Sequence, residues 1–407
     1  MKTCIIFLLL LFPLTVFSQE VVLTVDQAIA EALKNNESIK AAIAESAALH
    51  ALKGASFDLP KTEVALLYGQ YNSDAKNDNN ITVSQSIPFS VFGSQASLDK
   101  TRAKAGELKK SVTAHDIVYQ VKQTYHQLKF AKARHRLLLQ QDSIYEGFLK
   151  SAALRYETGE TNLLEKTTAQ VQRDDVKNQL RQIEMQIVLL KTQMKTLCGL
   201  QAMPDVTGDD LTALRPENIP DTVNLNPSLP YMRQLVNVAE RERKVQSSRL
   251  APDLTVGFFS QTLIGTAQSE SGDVATKRDR FTGLQVGIAL PLWFFSQRSR
   301  VRAAGYNQQA QQSNLNYHAS VLQGNLAQAV QQLQANQRSL DYYTHSALPN
   351  ATMILRQSQA AFREGEIGYA EYLMSIRNSI GIQEGHLKTL NDYNQNVLYL
   401  LYLTGKQ

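Results

Sequence analysis

The sequence predicts a duplicated, mainly helical chain with a small β part. Long stretches almost free of proline and glycine carry apolar residues at helical spacing, whereas only four short segments alternate as strands do. Several landmarks also occur twice, at nearly constant offsets of 203 or 206 positions: Pro88 and Pro291, Gly159 and Gly365, and Gly199 and Gly405. Offsets this regular indicate an internal duplication.

The first eighteen residues have the features of a secretory signal peptide. A run of apolar residues follows Lys2, and Ser18 supplies the small residue expected at a cleavage site. A membrane-spanning anchor is the alternative, but the run is short and Pro13 interrupts it. Cys4 lies before the cleavage site, so we expect no lipid anchor. Cys198 would be the remaining cysteine of the mature chain, which excludes an internal disulfide.

Composition and charge exclude several classes of function. The 407 residues carry a net charge of +5, but basic and acidic residues are interspersed, so no nucleic-acid surface is indicated. No later stretch is apolar for long enough to form a membrane helix. The seven histidines are dispersed, and the motifs of metalloproteases, phosphate-binding loops and catalytic triads are missing from the sequence. We therefore expect no enzyme, no cofactor and no metal site.

The first repeat is predicted to span residues 19–203. Its order is a helix over 24–34 capped by Thr24, a helix over 38–55, a β-hairpin over 60–88, a long helix over 93–158 and a helix over 161–197. The long helix would reach roughly 95–100 Å. Its apolar seam repeats at spacings of four and three: Ile117, Val121, Thr124, Leu128, Ala131, His135 and Leu138.

A linker over 204–225, rich in Pro, Asp and Asn, leads to a second repeat over 226–407. This repeat has a β-hairpin over 252–291 and a long helix over 297–364, which Pro349 should kink. Its seam follows the same spacing: Leu322, Leu326, Ala329, Leu333, Asn336, Leu340 and Tyr343. The many Gln and Asn residues beside the seam indicate a solvated face, with an aggregation-prone segment as the alternative.

The hairpins have one apolar and one polar face. Ile81, Val83 and Ile87 alternate with Thr82, Ser84 and Ser86. In a soluble protein the apolar face would pack on the helices, whereas in an outer membrane it would meet lipid. Four strands are too few to close a barrel, so the second alternative requires several chains to pool their strands.

Two similar segments, residues 155–165 and 361–371, lie between the predicted helices. In each, an aromatic residue stands three positions before a glycine and a glutamate directly follows it: Tyr156, Gly159 and Glu160 in the first, and Phe362, Gly365 and Glu366 in the second. Glycine adopts positive φ without strain, so a lone glycine between two helices is typical of a sharp reversal. We predict two helical hairpin tips, called tip 1 (residues 155–165) and tip 2 (residues 361–371).

With this order of elements, the chain resembles the TolC-like outer-membrane efflux proteins, the outer membrane factors of tripartite efflux systems. The resemblance spans nearly all of the chain after the signal, and its most specific segments are Leu250-Ala251-Pro252-Asp253-Leu254, Ala289-Leu290-Pro291-Leu292-Trp293 and Ala361-Phe362-Arg363-Glu364-Gly365-Glu366. It implies a homotrimer in which four strands per chain form a twelve-stranded transmembrane β-barrel. A long coiled-coil α-helical barrel would continue the β-barrel through the periplasm, with the tips at its far end.

The function implied by the resemblance is a passive exit duct in the outer membrane. The tips would dock on a periplasmic adaptor (a membrane fusion protein), which links the duct to an inner-membrane pump. The length of the chain and its short polar loops favour export of metal cations or small toxic compounds. A duct for type I protein secretion is the alternative, and a soluble periplasmic coiled-coil scaffold or adaptor is the alternative from another class.

The resemblance also assigns charged residues to a gate. An acid six positions after the glycine of tip 2 would line a constriction, and that position is Glu371. Glu165 corresponds to a latch acid in tip 1. The family's second gate acid and its latch arginine are replaced here by Met374 and Ile367, although Arg363 is near enough to serve as the latch arginine. The alternative for both glutamates is an ordinary solvated position on a helix.

Overall fold

The computed structural model describes residues 21–70, 73–208, 210–215, 222–266 and 274–406. The predicted signal peptide, residues 1–18, lies outside these ranges. The helices are α1 (Val25–Asn35), α2 (Glu37–Ala51), α3 (Phe89–Glu157), α4 (Leu163–Cys198), α5 (Ser228–Ser248), α6 (Phe294–Tyr342), α7 (Leu348–Glu364) and α8 (Tyr369–Thr404). The strands are β1 (Val21–Leu23), β2 (Glu63–Tyr68), β3 (Asn79–Ile87), β4 (Pro204–Val206), β5 (Asp253–Gln261) and β6 (Phe281–Ala289).

The chain divides into two compact units, of which the first is mainly helical. It comprises the described residues of segments 1–39, 114–221 and 326–407. Its core contains the apolar seam predicted on α3, where Val121, Leu128 and Leu138 are fully buried. A seam on α4 joins this core at a spacing of seven residues: Ala169, Val176, Ile183 and Leu190. A seven-residue repeat of this kind is the signature of coiled-coil packing.

The predicted helix cap at Thr24 is present. The Thr24 hydroxyl accepts a hydrogen bond from the Gln27 backbone N–H, and the Gln27 side chain accepts one from the Thr24 backbone N–H, which completes a capping box. Helix α2 ends earlier than predicted, at Ala51, and a 3-10 helix continues over Leu52–Phe57.

The stretch predicted as a linker contains strand β4, which pairs with β1 in parallel. Alternation cannot reveal strands as short as these, which have three residues each. The Asp205 carboxylate fixes β4 by accepting from the Lys132 and Lys191 ammonium groups, both at 3.1 Å.

The second long helix is interrupted, as expected from the presence of Pro349, but the interruption lies just before the proline. Residues Tyr343–Ala347 form a π-helical turn between α6 and α7. Proline has no N–H group and its ring collides with the carbonyl four residues earlier in a regular helix. A wider turn directly before the proline relieves this collision, which is a common use of a π-bulge.

The second unit contains one four-stranded antiparallel sheet with the order β2-β3-β5-β6. The two predicted hairpins are present, and β3 pairs with β5 to join them. Gly283 leaves room for the Phe259 ring of the neighbouring strand, because a Cβ at this position would lie 2.5 Å from the ring carbon Cζ. The unit also contains most of α2, the first part of α3, α5 and the first part of α6.

Polar contacts fix α5 within this second unit. The Gln234 amide donates to the Thr101 carbonyl at 2.8 Å, and Arg102 pairs with Glu242 at 2.7 Å. In the part of the chain that the structure describes, no helix combines the length and hydropathy needed to cross a membrane.

Candidate functional site

The two predicted tips share one backbone geometry. Gly159 and Gly365 have φ angles of +76° and +77°, in the left-handed region that glycine adopts without strain. In tip 1 the Glu160 N–H bonds to the Arg155 carbonyl at 2.8 Å, and in tip 2 the Glu366 N–H bonds to the Ala361 carbonyl at the same distance. Both tips therefore end a helix with a Schellman motif.

In tip 1, Glu165 is almost fully buried and makes several contacts. Its carboxylate accepts from the Arg155 guanidinium at 3.2 Å and from the Thr161 hydroxyl. Its backbone N–H donates to the Asn162 side chain at 3.1 Å, so Asn162 caps the start of α4. The predicted latch acid is thus held inside its own tip by three neighbouring residues.

Glu371 of tip 2 lies in the first turn of α8, where it is exposed. Among the described residues it forms no ion pair. The N-cap of α8 is Gly368, which has no side chain to bind the helix start. Arg363 is also exposed, and its Nε donates to the Gln359 carbonyl at 3.4 Å. The predicted gate residues Glu371 and Arg363 therefore remain accessible.

Aromatic rings join the two tips within the helical unit. Tyr369 stacks on Phe148 with ring centroids 4.8 Å apart, and Phe362 stacks on Tyr372 at 4.6 Å. The Tyr369 hydroxyl also donates to the Glu165 backbone carbonyl at 3.0 Å. Burial raises the pKa of Tyr369 and Tyr372, so both rings are neutral phenols at neutral pH.

The sequence prediction included only Phe362 of these four rings. A usable signal was present, because three aromatic residues lie within seven positions of Gly365, in a chain with only 8% aromatic residues. That enrichment marks tip 2, but it does not show which rings contact tip 1.

A cleft of about 920 Å³ opens between the two tips. Its walls combine charged side chains from both tips with the Phe362 ring: Arg155, Glu160, Arg363, Glu364 and Glu366. Tyr156 lies nearby, 39% exposed, with the Lys166 ammonium 5.3 Å from its ring centroid. Accessible aromatic and arginine side chains are enriched at protein-binding surfaces. Within the described ranges, no group of His, Cys, Asp and Glu residues is suited to hold a metal ion.

The four-stranded sheet carries a second notable surface. Its cross-strand register places apolar residues of all four strands on one face, in rows such as Val64–Val83–Phe258–Leu284. This face is uncovered, most of all on β6, where Leu284 is 83% exposed and Val286 72%. The other face carries Thr82, Ser84 and Gln285 instead. Within the described residues of the second unit, no helix covers this apolar face.

Residues 218–406 match the family model described as "Outer membrane efflux protein". The second repeat of the chain therefore carries the sequence features of this outer membrane efflux protein family. The match covers the second repeat and contains all three segments that suggested the resemblance, including the one in tip 2. The predicted resemblance and the predicted outer-membrane location are thereby confirmed.

Solved structures show the same fold. A membrane protein from Pseudomonas aeruginosa superposes with a TM-score of 0.79 at 14% identity, covering 95% of this chain and 91% of that chain. The CmeC outer membrane channel of Campylobacter jejuni gives 0.77 at 15% identity, over 94% and 85% of the two chains. The outer membrane protein VceC of Vibrio cholerae gives 0.75 at 16% identity, over 94% and 96%. No protein of curated function matches this chain in sequence.

Together, these comparisons confirm the predicted mainly helical fold with a small β part. The structural matches cover at least 94% of the chain and so include the first repeat, which lies outside the family match.

Proposed function

We propose that this efflux protein is the protomer of a passive, trimeric exit duct in the outer membrane. The observation that carries the proposal is the exposed apolar face of the four-stranded sheet, together with its edges. Within the described residues, β2 pairs only with β3, and β6 pairs only with β5. An unpaired strand edge is not tolerated in lipid, so a sheet of this kind must join others to close.

Three copies of the sheet would supply twelve strands, enough for a closed barrel with the apolar face toward lipid. The opposite face, with Thr82, Ser84 and Gln285, would then line a water-filled lumen. This alternation is the pattern expected of transmembrane barrels. The uncovered face argues against the soluble scaffold, because a soluble monomer rarely exposes so large an apolar patch.

Tips 1 and 2 would form the docking surface for a periplasmic adaptor, which connects the duct to an inner-membrane pump. Two observations support this docking role: the cleft between the tips is lined by charges of both signs, and the Tyr156 ring is accessible. Glu371 would line the periplasmic constriction, where three copies form an acidic ring that favours cations. Glu165 and Arg363 would act as latch residues, Glu165 by holding tip 1 closed on Arg155.

For cargo, we propose metal cations or small toxic compounds. The acidic ring at Glu371 is the feature that favours a cationic cargo over a secreted protein. A duct for type I protein secretion remains the second candidate, since docking tips and a barrel would serve either cargo.

A charge placed on the apolar face tests the proposal. Lysine at the middle of a lipid-facing strand costs about 2–4 kcal/mol, so Val286→Lys should strongly reduce the trimer recovered from the outer membrane. Gln285→Lys is the matched control, because it adds the same charge to the same strand on the opposite face. We expect Gln285→Lys to assemble as a trimer, measured by membrane fractionation and size-exclusion chromatography in detergent.

Equal recovery of the two variants would contradict the proposed orientation of the sheet. Recovery of the wild-type protein in the soluble periplasmic fraction would favour the scaffold instead.

A further inference from the structure

A cleft of about 700 Å³ lies between α5 and α6 in the second unit, and three arginines line it. Arg243 comes from α5, whereas Arg298 and Arg302 lie one helical turn apart on α6. The remaining walls are neutral, with glutamines, valines, a glycine and Tyr306. The cleft therefore concentrates positive charge without a carboxylate in its lining.

Within the described residues, none of these three guanidinium groups forms an ion pair. Arg243 donates to the neutral Gln308 side chain at 3.4 Å, and the Arg298 guanidinium lies 4.5 Å from the centroid of the Phe294 ring. The sequence of α6 explains this for Arg298 and Arg302, because its only acidic residue is Asp341, near the opposite end of the helix. On α5, Glu242 pairs with Arg102 instead of Arg243. Three like charges lining one cleft repel one another, and an anion bound between them would remove that cost.

An exposed apolar band lies directly before the arginines along the chain. Leu292, Trp293 and Phe295 are 72%, 85% and 68% exposed, and they connect the apolar β6 face to α6. Aromatic residues of this kind mark the boundary between hydrocarbon and headgroups in membrane proteins. An apolar band beside the cleft suits a ligand that has both an anionic group and hydrocarbon chains, whereas a free anion would have no use for it.

The helix geometry places the arginines close to the aromatic band. At 1.5 Å per residue, the Cα of Arg298 lies about 6 Å along the axis from that of Phe294, where α6 begins. Side chains on a helix tilt toward its N-terminus, which for α6 is the end that continues from the sheet. The Cα–Cβ bonds of Arg298 and Arg302 therefore tilt back toward the aromatic band, and the Arg298 guanidinium lies over the Phe294 ring.

We propose that this cleft binds the phosphate headgroup of an anionic phospholipid from the periplasmic leaflet of the outer membrane. Guanidinium groups match phosphate oxygens in a bidentate geometry, and the acyl chains would lie against the aromatic band and the β6 face. The inference rests on the proposed function, because it requires the sheet to lie in the membrane.

Native mass spectrometry of the purified trimer, titrated with phosphatidylglycerol, tests the site. The Arg298→Gln, Arg302→Gln double variant should bind this lipid at least about tenfold more weakly than wild type, since each phosphate contact is charge-assisted. The control is Arg300→Gln, Arg338→Gln, which removes two charges from the same helix at positions outside the cleft lining. We expect the control to bind like wild type.

Three results would overturn the inference. Equal binding by all three proteins would show that the cleft is not the site, and equal loss in both variants would show a general effect of charge. Inorganic phosphate binding as tightly as the lipid would identify a site for free anions. If the wild-type protein were not recovered from the outer membrane as a trimer, the proposed function would fail first. A normal trimer with unchanged lipid binding would contradict only the lipid site.

Discussion

Tips 1 and 2 share a backbone but differ in how their side chains hold it. Both glycines have nearly the same φ, and both end a helix with the same pair of hydrogen bonds. An offset of 206 residues aligns Glu165 with Glu371, yet the first is buried in contacts and the second is exposed. The two copies of the turn therefore share their backbone geometry, but the corresponding acidic residues lie in different environments.

Two substitutions between the repeats explain the difference. Arg155, which pairs with Glu165, corresponds to Ala361, so Glu371 has no arginine at the matching place. Asn162, which caps α4, corresponds to Gly368, which has no side-chain acceptor. Tip 1 is thus closed by side chains, whereas tip 2 is closed by its backbone and by the aromatic stack with Phe148. A gate residue must be free to move or to bind a cation, and Glu371 in the less constrained tip 2 meets this requirement better than Glu165.

The largest expected effect is a difference in stability loss between alanine variants of Glu165 and Glu371. Glu165→Ala removes charged hydrogen bonds from a nearly buried carboxylate and should cost about 2 kcal/mol. Glu371→Ala removes an exposed side chain and should change stability by less than about 0.5 kcal/mol. Hydrogen exchange of the amides in residues 155–166 and 361–372 gives the free energy of local opening for each tip.

Channel recordings of the same two variants should show the reverse order. If Glu371 lines the constriction, Glu371→Ala should raise the single-channel conductance and weaken the preference for cations. Unchanged conductance and selectivity would refute the gate, whatever the stability data show. Glu165→Gln is the control for tip 1, because it keeps the shape of the side chain while removing its charge.

A smaller and equal effect is expected at the two glycines. A Cβ at Gly159 or Gly365 would meet no atom within 4 Å, so only the left-handed backbone opposes a side chain there. Gly159→Ala and Gly365→Ala should each cost about 1 kcal/mol in local opening. Asparagine tolerates this conformation better than alanine, so Gly159→Asn and Gly365→Asn should cost less. Unequal costs at the two tips would show that the shared backbone is not equally strained.

The sequence predicted the repeating features of this fold well. Hydrophobic period and the paired prolines and glycines were sufficient for both hairpins, the long helices and the two tips, because each is determined by local patterns. Strands β1 and β4 were missed because three residues are too few to show alternation. The contact between Tyr369 and Glu165 was missed because it joins residues 204 positions apart.

Periodicity also failed to distinguish the environments of the two long seams. On α3, the seam residues Val121, Leu128 and Leu138 are fully buried. On α6, Leu322, Leu326 and Ala329 are also buried, whereas Leu333 and Leu340 follow the same spacing but are only half-buried in the single chain. A heptad pattern shows that a helix has a partner, but it does not show whether that partner belongs to the same chain or to another copy.

The smallest expected effect comes from substitutions that exchange the N-cap residues of α4 and α8. Asn162→Ala should cost about 1 kcal/mol, because the Glu165 N–H loses its acceptor. Gly368 has φ −76° and ψ 167°, the extended conformation of an N-cap, so asparagine fits there without strain. Since asparagine exceeds glycine as a cap by only a few tenths of a kcal/mol, Gly368→Asn should stabilise tip 2 by about that amount. Hydrogen exchange at residues 369–372 measures the gain. If Gly368→Asn also lowered the conductance, capping of α8 would control the freedom of Glu371, and the looser start of tip 2 would be part of the gate.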